Sequence, residues 1–311
     1  MNAELNPRPL FSEPRKINGL ASQGAPTDPF YWSVWREVWE NRSIYIAPLI
    51  VAGIVILGWF VRALDLPQLR RNALALDPAR QRAAIEAPYD IAAMMLLFTA
   101  FIVGAFYCLD ALYGERRDRS ILFWKSLPVS DLTAVLSKAT IPLGILPLVT
   151  FVIILVTQFV MLLISTFALL SSGLAATTWA NFNLFQQSVI LLYGLIAIAF
   201  WHAPIYAWLL LVSAWARRAT FLWAILPLIA MQIFEKITFG TNYIGHLVRD
   251  RFIGFAPRAF SFHGGTQPTI DSLAQLTPAN YLTSPGFWLG LAFAVAFLAA
   301  AVRLRRYRDP L

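Results

Sequence analysis

Very little of this sequence is charged, and almost none of it suits covalent chemistry. Of 311 residues only 14% are Asp, Glu, Lys or Arg while 58% are hydrophobic, against about 25% and 45–50% in ordinary soluble domains. Too few polar groups remain to cover a water-facing surface, so a soluble globular fold is excluded. The single cysteine, Cys108, lies in an apolar run; it has no disulfide partner, supports no cysteine-based metal site, and reads as a small core hydrophobe. Three histidines, His202, His246 and His263, include no H-E-x-x-H pair of the kind that holds zinc on one helix face. Ser171 and Ser172 precede Gly173 without the G-x-S-x-G turn that exposes a nucleophile. Residues 19–24 have G-x-x-x-x-G spacing, yet Ala25 and Pro26 stand where a phosphate loop needs Lys and Ser or Thr. Asp110 and Glu115 show no partner for general-base duty. No catalytic residue and no metal ligand is therefore assigned, the chain is not expected to be an enzyme, and it shows no means of hydrolysing ATP by itself.

The first 28 residues hold four prolines and no apolar core of a leader peptide, so cleavage of a secretory signal is not expected and the segment reads as a disordered tail. The net charge is +8, but the basic residues sit between apolar stretches rather than in a patch, which points to membrane topology and not to nucleic acid.

About 20 apolar residues cross a 30 Å hydrocarbon layer, and six runs qualify: 44–61, 91–112, 141–163, 189–215, 221–234 and 287–302. The expected fold is an all-α integral membrane protein with six transmembrane helices. The fifth run is short because Glu235 and Lys236 follow it directly. With the N-terminus inside, the inner segments carry 16 Lys and Arg and the outer ones 9, so both termini are placed in the cytoplasm and the chain in a bacterial inner membrane.

Just before the first span, Phe30, Tyr31, Trp32, Val34, Trp35, Val38 and Trp39 fill one arc of a helical wheel, and Ser33, Arg36, Glu37 and Glu40 the rest. Trp32, Trp35 and Trp39 suit the headgroup boundary, where an indole keeps its N–H wet; this predicts an interfacial elbow helix over 29–42, with a helix packed on protein as the alternative. In the outer connection 235–284, Ile244, Leu247, Val248 and Phe252 recur at helical spacing. They predict a segment dipping into the outer leaflet; a plain loop is the other reading. Within the spans His202, Gln158 and Gln232 are polar groups that lipid does not satisfy. They mark either a translocation path or helix-to-helix hydrogen bonds, and Pro142, Pro147, Pro204 and Pro227 mark kinks.

The inner connection 114–132 interleaves charges with Ile121, Leu122, Phe123, Trp124 and Leu127. Flanking charge around an aromatic centre suits a short helix seated in a partner's groove, with Phe123 and Trp124 as anchors; a helix lying on lipid is the alternative. Pro128 stops it, and Ser130 with Asp131 can cap the next helix.

Residues 112–138, LYGERRDRSILFWKSLPVSDLTAVLSK, resemble the first cytoplasmic loop of ABC-2 type permeases, the membrane subunits of ATP-binding-cassette transporters. The matching positions are Glu115, Arg116, Arg119, Trp124, Leu127, Pro128, Ser130 and Lys138. The resemblance extends to the elbow, the six spans and the stretch TPANYLTSPGFW before the last span. The long outer connection 62–88 departs from it. It implies that 114–131 is a coupling loop, with Glu115, Arg116, Arg119, Phe123, Trp124, Leu127 and Pro128 engaging a separate P-loop nucleotide-binding subunit that carries ATP and Mg. It also implies a second permease chain, identical or not, and export of an amphiphilic substrate. An intramembrane enzyme built on His202 and a secondary transporter are the other function classes.

Overall fold

The computed structural model describes residues 28–120, 129–262, 270 and 272–307. Among them every regular element is helical, and strand-like pairing is limited to an isolated bridge between Phe260 and Leu276. The tail expected to be disordered lies outside the described residues, Asp28 excepted.

Six helices are long and apolar enough to cross a membrane. Helix α1 (Pro29–Glu40) starts where the Asp28 carboxylate accepts from the Phe30 amide at 2.9 Å and Pro29 occupies a position that needs no N–H. The first span is α2 (Ser43–Arg62). The connection at 62–88, which the apolar pattern leaves outside the spans, is largely helical: α3 (Leu66–Leu74) is followed by α4 (Pro78–Ala111), the second span. Asp77 and Pro78 repeat the cap seen at α1, with the Asp77 carboxylate accepting from Arg80 N, so α4 begins well before its apolar run. A short α5 (Tyr113–Arg117) follows.

The third crossing begins with α6 (Asp131–Thr140), where Ser130 Oγ accepts from Thr133 N at 3.1 Å as the sequence suggests. A wide π-helical turn, Ile141–Ile145, leads to α7 (Leu146–Leu170). Pro142 lies inside that turn and Pro147 just beyond it; each lacks the N–H the helical ladder requires, which explains why the register slips there. The crossing is 40 residues long, about 60 Å at 1.5 Å per residue, so part of it stands outside the hydrocarbon.

After α8 (Ala175–Asn181) comes α9 (Leu184–Trp215), the fourth span and the centre of the molecule, with 61% of its apolar stretch buried. It packs on α4, α7 and the last span, α14 (Pro285–Tyr307). Gly104 of α4 allows that approach: a Cβ there would lie 3.1 Å from both Leu146 Cδ2 and Tyr206 Cε1.

The fifth span, α10 (Thr220–Phe239), continues past the point at which Glu235 and Lys236 were expected to end it. The Glu235 carboxylate finds donors in the following turn, accepting from Thr241 Oγ1 at 2.7 Å, Tyr243 N at 2.5 Å and Ile244 N at 2.8 Å. It thereby serves the N-terminus of α11 (Tyr243–Ile253), where amides lack intrahelical partners and negative charge is favoured. Gly240 closes α10 in the left-handed region, φ +66°, open to glycine without steric penalty.

The segment after α10 is not a plain loop. It runs through α11, α12 (Ala256–Ala259) and α13 (Pro278–Thr283) and is bound down one face of α9. Tyr193 Oη donates to Ala259 O at 3.2 Å, Tyr281 Oη to Ala197 O at 2.8 Å and Trp201 Nε1 to Asp250 O at 3.0 Å, and His202 Nε2 lies 3.1 Å from Phe252 O. His202 stands 18 residues into α9, about 27 Å from its start, so the segment reaches deep beside the spans. The guanidinium groups of Arg251 and Arg258 lie 4.7 and 4.8 Å from the Trp201 ring, a cation–π arrangement that desolvation strengthens.

Candidate functional site

Among the described residues, buried charges cluster on either side of residues 121–128. Four elements far apart in sequence supply them. The aromatic side chains of α1 face outward, with Trp32 58%, Trp35 43% and Trp39 72% exposed, while Ser33 and Glu37 of the polar arc face protein, Glu37 being 1% exposed. A soluble helix does the reverse. Glu37 Oε1 accepts from Lys138 Nζ of α6 at 2.8 Å and from Arg36 Nη2 at 2.7 Å, and Oε2 accepts from Tyr107 Oη of α4 at 2.8 Å.

Lys138 also reaches Glu115 Oε1 of α5 at 3.1 Å. The other Glu115 oxygen pairs with Arg305 of α14, whose Nε donates to Asp131 Oδ1 of α6 at 3.2 Å. The chain of contacts thus runs Arg36, Glu37, Lys138, Glu115, Arg305, Asp131. Its four innermost members, Glu37, Lys138, Arg305 and Glu115, are two anions and two cations, each at most 9% exposed. Alternation of sign is what such a cluster requires, because an unmatched ion here would bear its full desolvation penalty. Burial pushes the Glu37 carboxyl up, but Lys138 and Arg36 outweigh it and hold the group below the ordinary carboxylate range.

Arg116 turns the opposite way and donates to Ser213 O at 2.8 Å and Ala216 O at 2.6 Å, carbonyls at the C-terminal end of α9 where helix geometry leaves acceptors over and favours positive charge. Ser213 Oγ in turn accepts from the amides of Leu112 and Tyr113 at 3.0 and 2.9 Å, stitching the α4 to α5 break to α9. Arg119 is exposed and left-handed, φ +56°, a conformation unfavourable for a side-chain-bearing residue.

The sequence-predicted residues therefore separate. Glu115 and Arg116 are interior groups that fasten the loop's first end to α6, α9 and α14. Arg119 is at the surface, and Phe123, Trp124, Leu127 and Pro128 lie outside the described residues. Gln158 is buried, its Nε2 3.4 Å from Tyr89 O; Gln232 is exposed and donates to Asn242 Oδ1 at 3.3 Å. His202 is buried against Phe101, Phe252 and Phe255, with Nδ1 lacking a hydrogen-bond partner. No hydrogen bond, ion pair or ring contact joins these three, so the structure does not assemble them into one path. Arg36, Glu37, Asp131 and Arg305 are the network members missed as site residues, and Lys138 entered only as a position of the resemblance. Their signal was faint: Glu37 is a carboxylate on the helix before the first apolar run, and Arg305 follows the last one.

Comparison of the chain with protein-family profiles, with curated proteins and with solved structures finds no match.

Proposed function

We propose that the chain is the membrane-spanning permease subunit of an ATP-binding-cassette transporter of the ABC-2 type, coupling hydrolysis by a separate P-loop subunit to export of an amphiphile. The observation that carries this reading is the tethering of both ends of the 121–128 loop to one buried ion network, which joins α1, α6 and α14. The resemblance of residues 112–138 to a coupling loop supplies the expectation; the network supplies a way for force on that loop to reach the spans.

In this mechanism the P-loop subunit grips the aromatic centre at Phe123 and Trp124, with Arg119 at the exposed edge. Displacement of the loop pulls on Glu115 and Asp131, and through them on Lys138 and Arg305. Separating buried ions from their partners costs about 3–5 kcal/mol, so the network resists shear and moves as one body with the ends of the third and sixth spans. Force enters the third span at Lys138, three residues before the wide turn at Ile141–Ile145, a break in the regular ladder of the type at which helices bend. The outward aromatic arc of α1 suits a bilayer headgroup layer, which makes it an elbow that fixes the depth of the network. The proposal places both termini and the loop in the cytoplasm, with a second permease chain completing the path; neither ATP nor Mg is held by this chain.

Co-purification of a P-loop subunit with this chain tests the reading. Trp124→Ala is expected to release that subunit while the permease remains folded in the membrane. Equal recovery of the subunit with the wild-type and Trp124→Ala chains would remove the docking claim.

A further inference from the structure

A second charged feature lies at the opposite end of the spans, where α3 packs on α4 and α7 beside the end of α2. Leu66, Leu69, Arg70 and Ala73 follow i, i+3, i+4, i+7 spacing and share one face of α3. Beneath them is a pocket of about 50 Å³, lined by Trp59, Arg62, Leu66, Leu69, Arg70 and Pro88 among others. One water needs about 10–15 Å³ on this measure, so the pocket has room for a group of roughly four oxygens. Seven of its nine lining residues are apolar, and its charged groups are two guanidiniums with no carboxylate.

Arg70 is only 4% exposed. Its Nη2 donates to Thr178 Oγ1 of α8 at 3.1 Å, while Nε and Nη1 have no acceptor. The buried carboxylate closest along α4, Glu86, accepts from Arg82 at 2.9 Å and does not line the pocket. A buried cation without a counter-ion is costly and demands an anion. Burial holds the Arg70 guanidinium below its ordinary pKa, with nearby Tyr89 opposing the shift.

We propose that this pocket is an oxyanion site at the bilayer surface, in which Arg70 donates to a phosphate-class group and Arg62 adds a second positive charge. Anionic phospholipid headgroups carry that chemistry, and so does free phosphate. The apolar walls and the position of Trp59 and Arg62 at the end of the first span suit the lipid-borne form. The site does not depend on the transport reading, since it requires only that the chain lie in a membrane.

The test uses the full chain in detergent, with unfolding followed by a fluorogenic maleimide that reacts with Cys108, which is 0% exposed when folded and is the chain's one thiol. Dioleoylphosphatidylglycerol, dioleoylphosphatidylcholine and inorganic phosphate are titrated separately. Phosphatidylglycerol is expected to raise the unfolding midpoint more than phosphatidylcholine does. Arg70→Gln is expected to raise its half-saturating concentration on the order of tenfold or more, the worth of a charged hydrogen bond. Because Arg70→Gln disturbs a buried contact, Ala73→Phe provides a second route: it fills the pocket, leaves the guanidinium in place, and is expected to abolish the preference. Stabilisation by inorganic phosphate that disappears in Arg70→Gln supports the oxyanion site and identifies a soluble source. Equal effects of the two lipids with none from phosphate, or a full phosphatidylglycerol effect in both variants, would overturn the proposal.

Discussion

Lys138→Met removes the cation that bridges Glu37 and Glu115 at 2.8 and 3.1 Å and is itself 3% exposed. Loss of one partner from a buried ion pair costs about 3–5 kcal/mol. Here each stranded carboxylate keeps other donors, Glu37 retaining Arg36 and Tyr107 and Glu115 retaining Arg305. The expected cost is therefore at the low end, about 3 kcal/mol, or roughly two powers of ten in the unfolding equilibrium. Adding Glu37→Gln to Lys138→Met removes charges of both signs, so the double variant should be more stable than the sum of the single losses by about 1–3 kcal/mol. The maleimide assay on Cys108 measures all three variants. The pH dependence gives a second readout. A carboxyl with a lowered folded pKa contributes stability above its unfolded value, near 4.5, and that contribution is lost as the pH falls through the folded value. Without Lys138 burial is less opposed, so the Glu37 pKa rises and the acid loss of stability should begin at a higher pH than in the wild type. A Lys138→Met chain within about 0.5 kcal/mol of wild type, the size of an ordinary surface substitution, with an unmoved acid limb, would refute the claim that the network is structurally tight.

Further predictions concern the packing around α9. Gly104→Leu places a side chain where Leu146 and Tyr206 already stand at 3.1 Å from a bare Cβ, and should cost at least the 1–3 kcal/mol of an overpacked core; Gly104→Ala should be milder, as measured by the same unfolding assay. Glu235→Ala strips the acceptors from Thr241, Tyr243 and Ile244, so amide exchange should accelerate at the start of α11 and remain unchanged in α2; equal protection in both chains would argue against the cap. Tyr281→Phe removes the 2.8 Å bond to Ala197 O and should destabilise by about 0.5–1.5 kcal/mol, with faster exchange confined to the segment after α10.

The spans were legible because twenty apolar residues have few alternatives to crossing a bilayer, and the Ser130 cap was legible because it is local. What the sequence concealed was pairing over long separations. Glu115 and Arg116 sit among charges beside an aromatic loop, a pattern that reads as a docking edge. Their partners Arg305 and Ser213 lie 190 and 97 residues away, and no periodicity announces such a match. Glu235 misled for a related reason: a carboxylate after an apolar run signals a helix end, unless the next turn supplies amides to receive it. At 62–88 the apolar pattern fell silent, yet Asp77 and Pro78 carried the start signal that the structure uses. The division of α1 into an aromatic and a polar arc was legible on a wheel, but the burial of Glu37 was not, since a wheel separates faces without naming their surroundings.

The proposed function requires residues 121–128 to face the compartment that holds ATP and to be gripped there by a motor subunit. Because Cys108 is buried, Trp124→Cys places the thiol that an impermeant maleimide would reach first. Trp124→Cys is expected to stay unlabelled on intact cells, to label once the membranes are opened, and to be protected when the P-loop subunit is bound. Labelling of Trp124→Cys on intact cells would contradict it.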